Sequence, residues 1–183
     1  MFQTERVPVT VYRSTDEGAP QLSAAAGSLK TVLKACLTNG YGTKQPLGWE
    51  MQYEDGHAAC WRSKHNRATG AVLSLDDKGG YGLMQVFQTA SSATAGDKPL
   101  IRYSSGYDKF SYFSRNAANA WVLVGHARGF VLILPTDKIT VVPFLIFGDY
   151  AGLGVSHQEN VFVAGMFSSS TEYNYANKEA RFF

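Results

Sequence analysis

Two continuously apolar segments, Trp121-Val122-Leu123-Val124 and Phe130-Val131-Leu132-Ile133-Leu134, flank Gly125-His126-Ala127-Arg128-Gly129. This pairing limits the fold more than any other feature of the chain. Runs of four or five apolar residues, rich in Val, Ile and Phe and bounded by glycine, are too short for a buried helix and suit strands. A half-buried strand alternates apolar with polar residues. An unbroken apolar run therefore predicts a hairpin covered on both faces or central in a sandwich.

The chain after Gly48 follows the same plan of short strands and turns. Trp49, Met51 and Tyr53 alternate with polar residues up to the turn Glu54-Asp55-Gly56. Segments 58–63, 71–75 and 83–89 are strand candidates, with Asp76-Asp77-Lys78-Gly79-Gly80 as a hairpin-type connection. Segment 90–98 is small and polar and reads as a loop; 101–103, 109–114, 141–147 and 161–167 continue the sheet. Ahead of these, Val7-Pro8-Val9-Thr10-Val11-Tyr12 alternates as a strand, and Pro8 favours an edge because it has no N–H to donate. The turn-rich stretch Ser14–Pro20 offers side-chain acceptors for backbone N–H groups.

One segment has helical period. Leu29, Val32, Leu33, Cys36 and Leu37 form a single apolar stripe, Ser28 or Ser23 is placed to cap its start, and Asn39-Gly40 to end it. Lys30 and Lys34 lie off the stripe, on the side expected to meet solvent. The fold class expected is mainly β with α+β character: an antiparallel sandwich or barrel-like sheet with one amphipathic helix near residues 28–38. Residues 1–183 suit a single domain, with ends at 1–6 and 168–183 that a partner would order.

Composition narrows the function. The net charge of +2 and the scattered basic residues argue against a specific nucleic-acid binder; the densest basic cluster, Arg62, Lys64, His65 and Arg67, reads as a solvated loop. No apolar run approaches a membrane span, and the first residues lack a signal-peptide plan. Two cysteines, Cys36 and Cys60, make no disulfide framework and are expected as buried thiols. The spacing of His57, Cys60 and His65 matches no zinc motif, so neither a metal nor a cofactor is expected. Gly152-Leu153-Gly154-Val155-Ser156 leads into a strand pattern and reads as a turn, not a phosphate cradle. The carboxylates Asp16, Glu17, Glu50, Glu54, Asp55, Asp76, Asp77, Asp108 and Asp149 stand mostly in turn contexts, where capping and solvation explain them. No catalytic residue is assigned, and the chain is not expected to be an enzyme.

Aromatic residues reach 13% of the chain, more than one small core needs. Tyr103, Tyr107, Tyr112, Tyr173 and Tyr175 could pack in the sheet, on a neighbouring subunit, or on a sugar ring.

The stretch Val9-Thr10-Val11-Tyr12-Arg13-Ser14-Thr15-Asp16-Glu17-Gly18-Ala19-Pro20, then Gly27-Ser28-Leu29, Cys36-Leu37-Thr38-Asn39-Gly40-Tyr41-Gly42 and Gly48-Trp49, resembles a family of small virion structural proteins of tailed bacteriophages and prophages. Weaker similarity continues through Trp121–Val124 and Phe147-Gly148-Asp149. The resemblance implies a particle component, made in the host bacterial cytoplasm and residing in the virion. It would bind other virion proteins (capsid, neck or tail subunits) and copies of itself, at the neck or collar or as a capsid decoration. A tail or baseplate position and a glycan-binding role are the alternatives. The contact residues expected are Phe2 at one end and Tyr173, Tyr175, Arg181, Phe182 and Phe183 at the other.

Overall fold

The computed structural model describes residues 6–101, 109–111, 120–134, 144–151, 159–168 and 178–182. In chain order the elements are β1 (Thr10–Arg13), helix α1 (Ser28–Lys34) running into a π-helical turn (Ala35–Asn39), β2 (Glu50–Asp55), β3 (Ala58–Arg62), β4 (Val72–Asp77) and β5 (Tyr81–Ala90). They continue with β6 (Gly96–Ile101), β7 (Lys109–Ser111), β8 (Val122–His126), β9 (Gly129–Ile133), β10 (Phe144–Ala151), β11 (Glu159–Ser168) and β12 (Lys178–Phe182). The protein is mainly β, built as two antiparallel sheets.

The first sheet runs β1-β8-β9-β10-β11-β12 and the second β2-β3-β4-β5, with β6 and β7 side by side on the outer edge of β5. Strand β11 joins them, pairing with β10 along most of its length and with β7 through Phe167 and Ser168. Strands β1 and β2 end the path and do not pair with each other, so it stays an open sandwich and not a closed barrel.

The core lies between the sheets. Trp49 meets Phe130 and Phe147 edge-on, with ring centroids 6.0 and 5.6 Å apart, and its Nε1–H donates to the His126 carbonyl at 3.3 Å. Trp61 and Trp121 are fully buried, and Trp121 Nε1–H donates to the Pro20 carbonyl at 3.0 Å. Helix α1 closes one side of this core with Leu29, Val32, Leu33, Cys36 and Leu37, all fully buried. The stripe read from the sequence is therefore the buried face. Gly40, at a φ of 75°, ends the helix; a side chain there would stand 2.5 Å from the Lys44 carbonyl. The carbonyls of Cys36 and Leu37 accept the backbone N–H groups of Leu47 and Trp49, so the frayed turn is satisfied by the segment leading into β2.

Several local expectations are corrected. The helix N-cap is Gly27, not Ser28 or Ser23, and the side chain acting as cap comes from far along the chain: Asp77 Oδ2 accepts the Lys30 N–H at 3.1 Å. Ser28 is instead buried, accepting from Ser23 N–H and donating to the Gln21 carbonyl. Lys30 is only 8% exposed, because its ammonium reaches Glu54 Oε1 at 2.9 Å and the Gly56 carbonyl. Asp77 and Asp149 are wholly buried strand residues and not solvated turn acids. Gly125 and His126 belong to β8 and Gly129 to β9, leaving a two-residue turn at Ala127 and Arg128. The polar loop is shorter than expected, since β6 begins at Gly96. The N-terminal strand starts at Thr10, beyond Pro8, and lies at the edge Pro8 suggested.

Candidate interaction surface

The two sheets treat their outer faces differently. On the second sheet, the turn between β5 and β6 folds back as a roof. Cys60 Sγ–H donates to the Ser92 carbonyl at 3.6 Å and Ser74 Oγ–H to the Ala93 carbonyl at 2.7 Å. Under this roof Cys60, Val72, Ser74 and Phe87 are all buried. Burial raises the pKa of both thiols, Cys36 and Cys60.

The first sheet has no such roof among the described residues. Its inner row, Tyr12–Leu123–Leu132–Leu145, is fully buried. Its outer rows are apolar too. The central one runs Val11–Val124–Val131–Ile146 and continues in register through Ala164 and Ala180. Beside it stand Val122–Ile133–Phe144, with Arg13 at the β1 end. On the other side are His126–Gly129–Gly148, with Phe162 and Phe182 following in register. Val11, Val122, Val124, Val131, Ile133, Phe144 and Ile146 are only half-buried, and none belongs to the partly buried residues packed on the core, which are Ala19, Tyr41 and Met51. Val9, just before β1, is 60% exposed. Of the two expectations for the hairpin, its strands lie inside a sheet of the sandwich and are not covered on both faces: the inner face is buried and the outer face is an apolar surface only partly withdrawn from solvent.

The edge of this sheet is closed. Arg13 N–H donates to Asp16 Oδ2 at 2.8 Å, and the Arg13 carbonyl accepts from Asp16 N–H at 3.0 Å and from the Tyr41 hydroxyl at 3.4 Å. Lys44 Nζ donates to the Val11 carbonyl at 3.0 Å and pairs with Asp16 at 3.6 Å. Burial pushes the Asp16 carboxyl upward, but the Arg13 N–H, the Tyr41 hydroxyl and Lys44 outweigh it and hold its pKa below the usual range. Burial raises the Tyr12 hydroxyl, which donates to the Gln45 carbonyl, to about 12. The edge strand therefore presents side chains where free backbone would otherwise invite another strand.

At one end of the sandwich two His-x-Arg turns adjoin. His65 Nδ1 accepts the Arg67 N–H at 3.1 Å, and His126 Nδ1 the Arg128 N–H at 3.0 Å. Ser63 Oγ–H ties the two turns by donating to the Ala127 carbonyl at 2.6 Å. Beside them Asp149 accepts Thr69 N–H and Oγ1–H, each at 2.7 Å, and Gly70 N–H at 3.2 Å. Burial, reinforced by Arg128 and His65, holds the His126 pKa below its ordinary 6.5. This cluster clamps β10 to the loop between β3 and β4.

Of the contact residues expected from the sequence, Arg181 and Phe182 lie in β12, in register with Val163 and Phe162 of β11. Phe2, Tyr173, Tyr175 and Phe183 lie outside the described residues, as do Tyr103, Tyr107, Tyr112 and the glycine-rich segment 152–156. His57, Cys60 and His65 are not brought together: His57 pairs with Asp76 at 3.1 Å, while Cys60 and His65 take the backbone partners given above. No group of three or more His, Cys, Asp or Glu among the described residues could hold a metal ion, and no helix there is long and apolar enough to cross a membrane. The outer face was hidden in the sequence, because an apolar run reads as buried whether its cover comes from the same chain or from another. Comparison of the chain with protein-family models, with curated proteins and with solved structures found no match.

Proposed function

We propose that the chain is a structural subunit of a bacteriophage particle, attached to neighbouring subunits at the neck or collar or on the capsid exterior. The observation that carries the reading is the half-buried apolar outer face of the first sheet, from Val11 to Ile146. Withdrawing apolar surface from water is the main driving force of most protein association, and a contiguous apolar face of this kind is often functional. The resemblance of residues 9–49 to small virion proteins supports the same assignment. With a net charge of only +2, attraction between charges contributes little, so buried apolar area carries the attachment.

Purified particles from the host that encodes the chain provide the test. The protein should be present at a fixed ratio to the major capsid protein and remain bound in 1 M salt, where the Debye length is about 3 Å. Its absence from particles, measured by quantitative mass spectrometry, would overturn the assignment.

A further inference from the structure

We infer that the two adjoining His-x-Arg turns form an acid-released latch: protonating His126 and His65 parts the loop of residues 63–70 from the β8–β9 turn while the two sheets stay folded. Nothing in the latch depends on what the sandwich binds.

The chemistry lies in which ring nitrogen is engaged. His126 Nδ1 accepts the Arg128 N–H at 3.0 Å, and His65 Nδ1 accepts the Arg67 N–H at 3.1 Å. A neutral imidazole accepts at one nitrogen and carries its proton on the other, so both rings are held as the Nε2–H tautomer. A second proton must therefore go to Nδ1. The acceptor then becomes a donor aimed at another donor, and the turn loses its bond as the ring becomes charged.

The β8–β9 turn is poorly placed to survive that loss. His126 pairs with Gly129, which leaves Ala127 and Arg128 as a two-residue connection. Two-residue hairpins favour turns with a positive φ at the first or at both central residues, and neither Ala127 nor Arg128 has one. Side chains hold this turn instead: His126 from within, and Ser63 from outside, whose hydroxyl donates to the Ala127 carbonyl at 2.6 Å. The same hydroxyl oxygen accepts the His65 N–H at 3.1 Å, so one buried serine links both turns. Loosening either turn loosens the other.

The surroundings oppose protonation of the closed form. Among the described residues, the charged and titratable groups on the elements around His126 are Arg128 on its own turn, Lys64, His65 and Arg67 on the facing loop, and Asp149 on β10. Glu50 and Arg62, at the adjoining strand ends, pair with each other at 2.8 Å, and the Asp149 carboxylate is engaged by Thr69 and Gly70. Burial first, then the charges of Arg128 and His65, hold the His126 pKa below 6.5. The open form thus binds the proton more readily. The latch is closed above about pH 6.5 and weakens as pH falls toward the folded value.

Amide hydrogen exchange on the purified full chain tests this, with each rate corrected for the intrinsic effect of pH. Between pH 7 and pH 5 the Arg67 and Arg128 amides should lose about five-fold or more of their protection, while the amides of β4 keep theirs. His65→Asn combined with His126→Asn gives each turn a side-chain oxygen that accepts the same N–H and does not titrate, so both amides should stay protected to pH 5. Nitrogen NMR of the wild-type rings at pH 7.5 needs no variant and should find the proton on Nε2 in both. A ring protonated on Nδ1, or Arg67 and Arg128 amides indifferent to acid, overturns the latch. A loss of protection shared by β4 also overturns it, since the whole chain would then be unfolding. Acid opening that persists in the double variant assigns the release to another group, Asp149 first, and overturns it equally.

Discussion

Removing the Asp149 carboxylate should cost about 3 kcal/mol of stability. The carboxylate is wholly buried and accepts three donors, Thr69 N–H, Thr69 Oγ1–H and Gly70 N–H. Hydrogen bonds to a charged acceptor are worth about 1.5–3 kcal/mol each, and a buried donor left unpaired costs about 1–3 kcal/mol. Thr69 and Gly70 are themselves half-buried, so water reaches their amides in part after Asp149→Ala and each falls at the low end of that range. The Thr69 hydroxyl can turn and adds little, so two amides at about 1.5 kcal/mol each give the figure. Asp149→Asn keeps one carbonyl oxygen and should lose about half as much. Against a total of about 5–15 kcal/mol this is a large share, readable by urea unfolding provided the slope with denaturant is unchanged. Combining Asp149→Ala with Thr69→Val should reveal a coupling of about 0.5–1.5 kcal/mol, because the two side chains share a bond. A loss below about 1 kcal/mol for Asp149→Ala would refute the clamp.

Three further outcomes follow from the geometry. Lys30→Ala should cost about 1–2 kcal/mol, since it strips the Gly56 carbonyl of its donor, whereas Lys34→Ala should cost less than about 0.5 kcal/mol, its pair with Glu54 being partly exposed; equal effects in a denaturation series would contradict the burial of Lys30. The depressed pKa of His126 means that the unfolded chain binds the proton more readily, so its contribution is fully present above about pH 6.5 and lost as pH falls toward the folded value. Thermal melts from pH 7.5 to 5 should show that decline, and His126→Gln should flatten it; an unchanged slope would remove His126 as its source. Cys36 and Cys60, buried as free thiols, should react with a thiol reagent only as fast as the chain opens, and both should react in denaturant; rapid labelling of the native chain would contradict their burial.

What the sequence revealed was what depends on local period. The helix stripe from Leu29 to Leu37 and the Gly40 stop followed from spacing alone, as did the strand character of the chain after Gly48. Interactions across the fold were not legible. Asp77 caps a helix 47 residues earlier in the chain, so a serine nearby was the only cap that local reasoning could offer. Lys30 lies off the apolar stripe but is buried by Glu54 and Gly56, from a hairpin whose position only the assembled sheets determine. Asp149 sits between Gly148 and Tyr150, a turn-like context, yet lies in mid-strand. The apolar outer face of the first sheet was hidden for a similar reason. Tail aromatics stand out by composition, whereas a face made of alternate residues on β1, β8, β9 and β10 emerges only once register is known.

The closed edge and the open face are best understood together. A sheet can recruit another chain through its edge, by backbone hydrogen bonds that any extended segment can satisfy, or through its face, by side-chain shape. The first route is indiscriminate and extends without limit when each added strand exposes a new edge. Here Asp16 and Lys44 each hold a backbone group of β1, and Tyr41 reinforces them, so opening that edge would sacrifice several hydrogen bonds at once. At the other end of the path, the irregular pairing of β2 between Met51 and Tyr53, with Glu50 bound to Arg62 and Glu54 to two lysines, disfavours a further strand in the same way. The second sheet also has its outer face roofed by residues 91–95. Among the described surfaces, the outer face of the first sheet is thereby left as the apolar one, with Val11, Val124, Val131 and Ile146 along its central row. On the proposed reading as a particle subunit, that division would serve assembly at a definite site: the promiscuous edge route is shut by polar groups, and the face is left apolar.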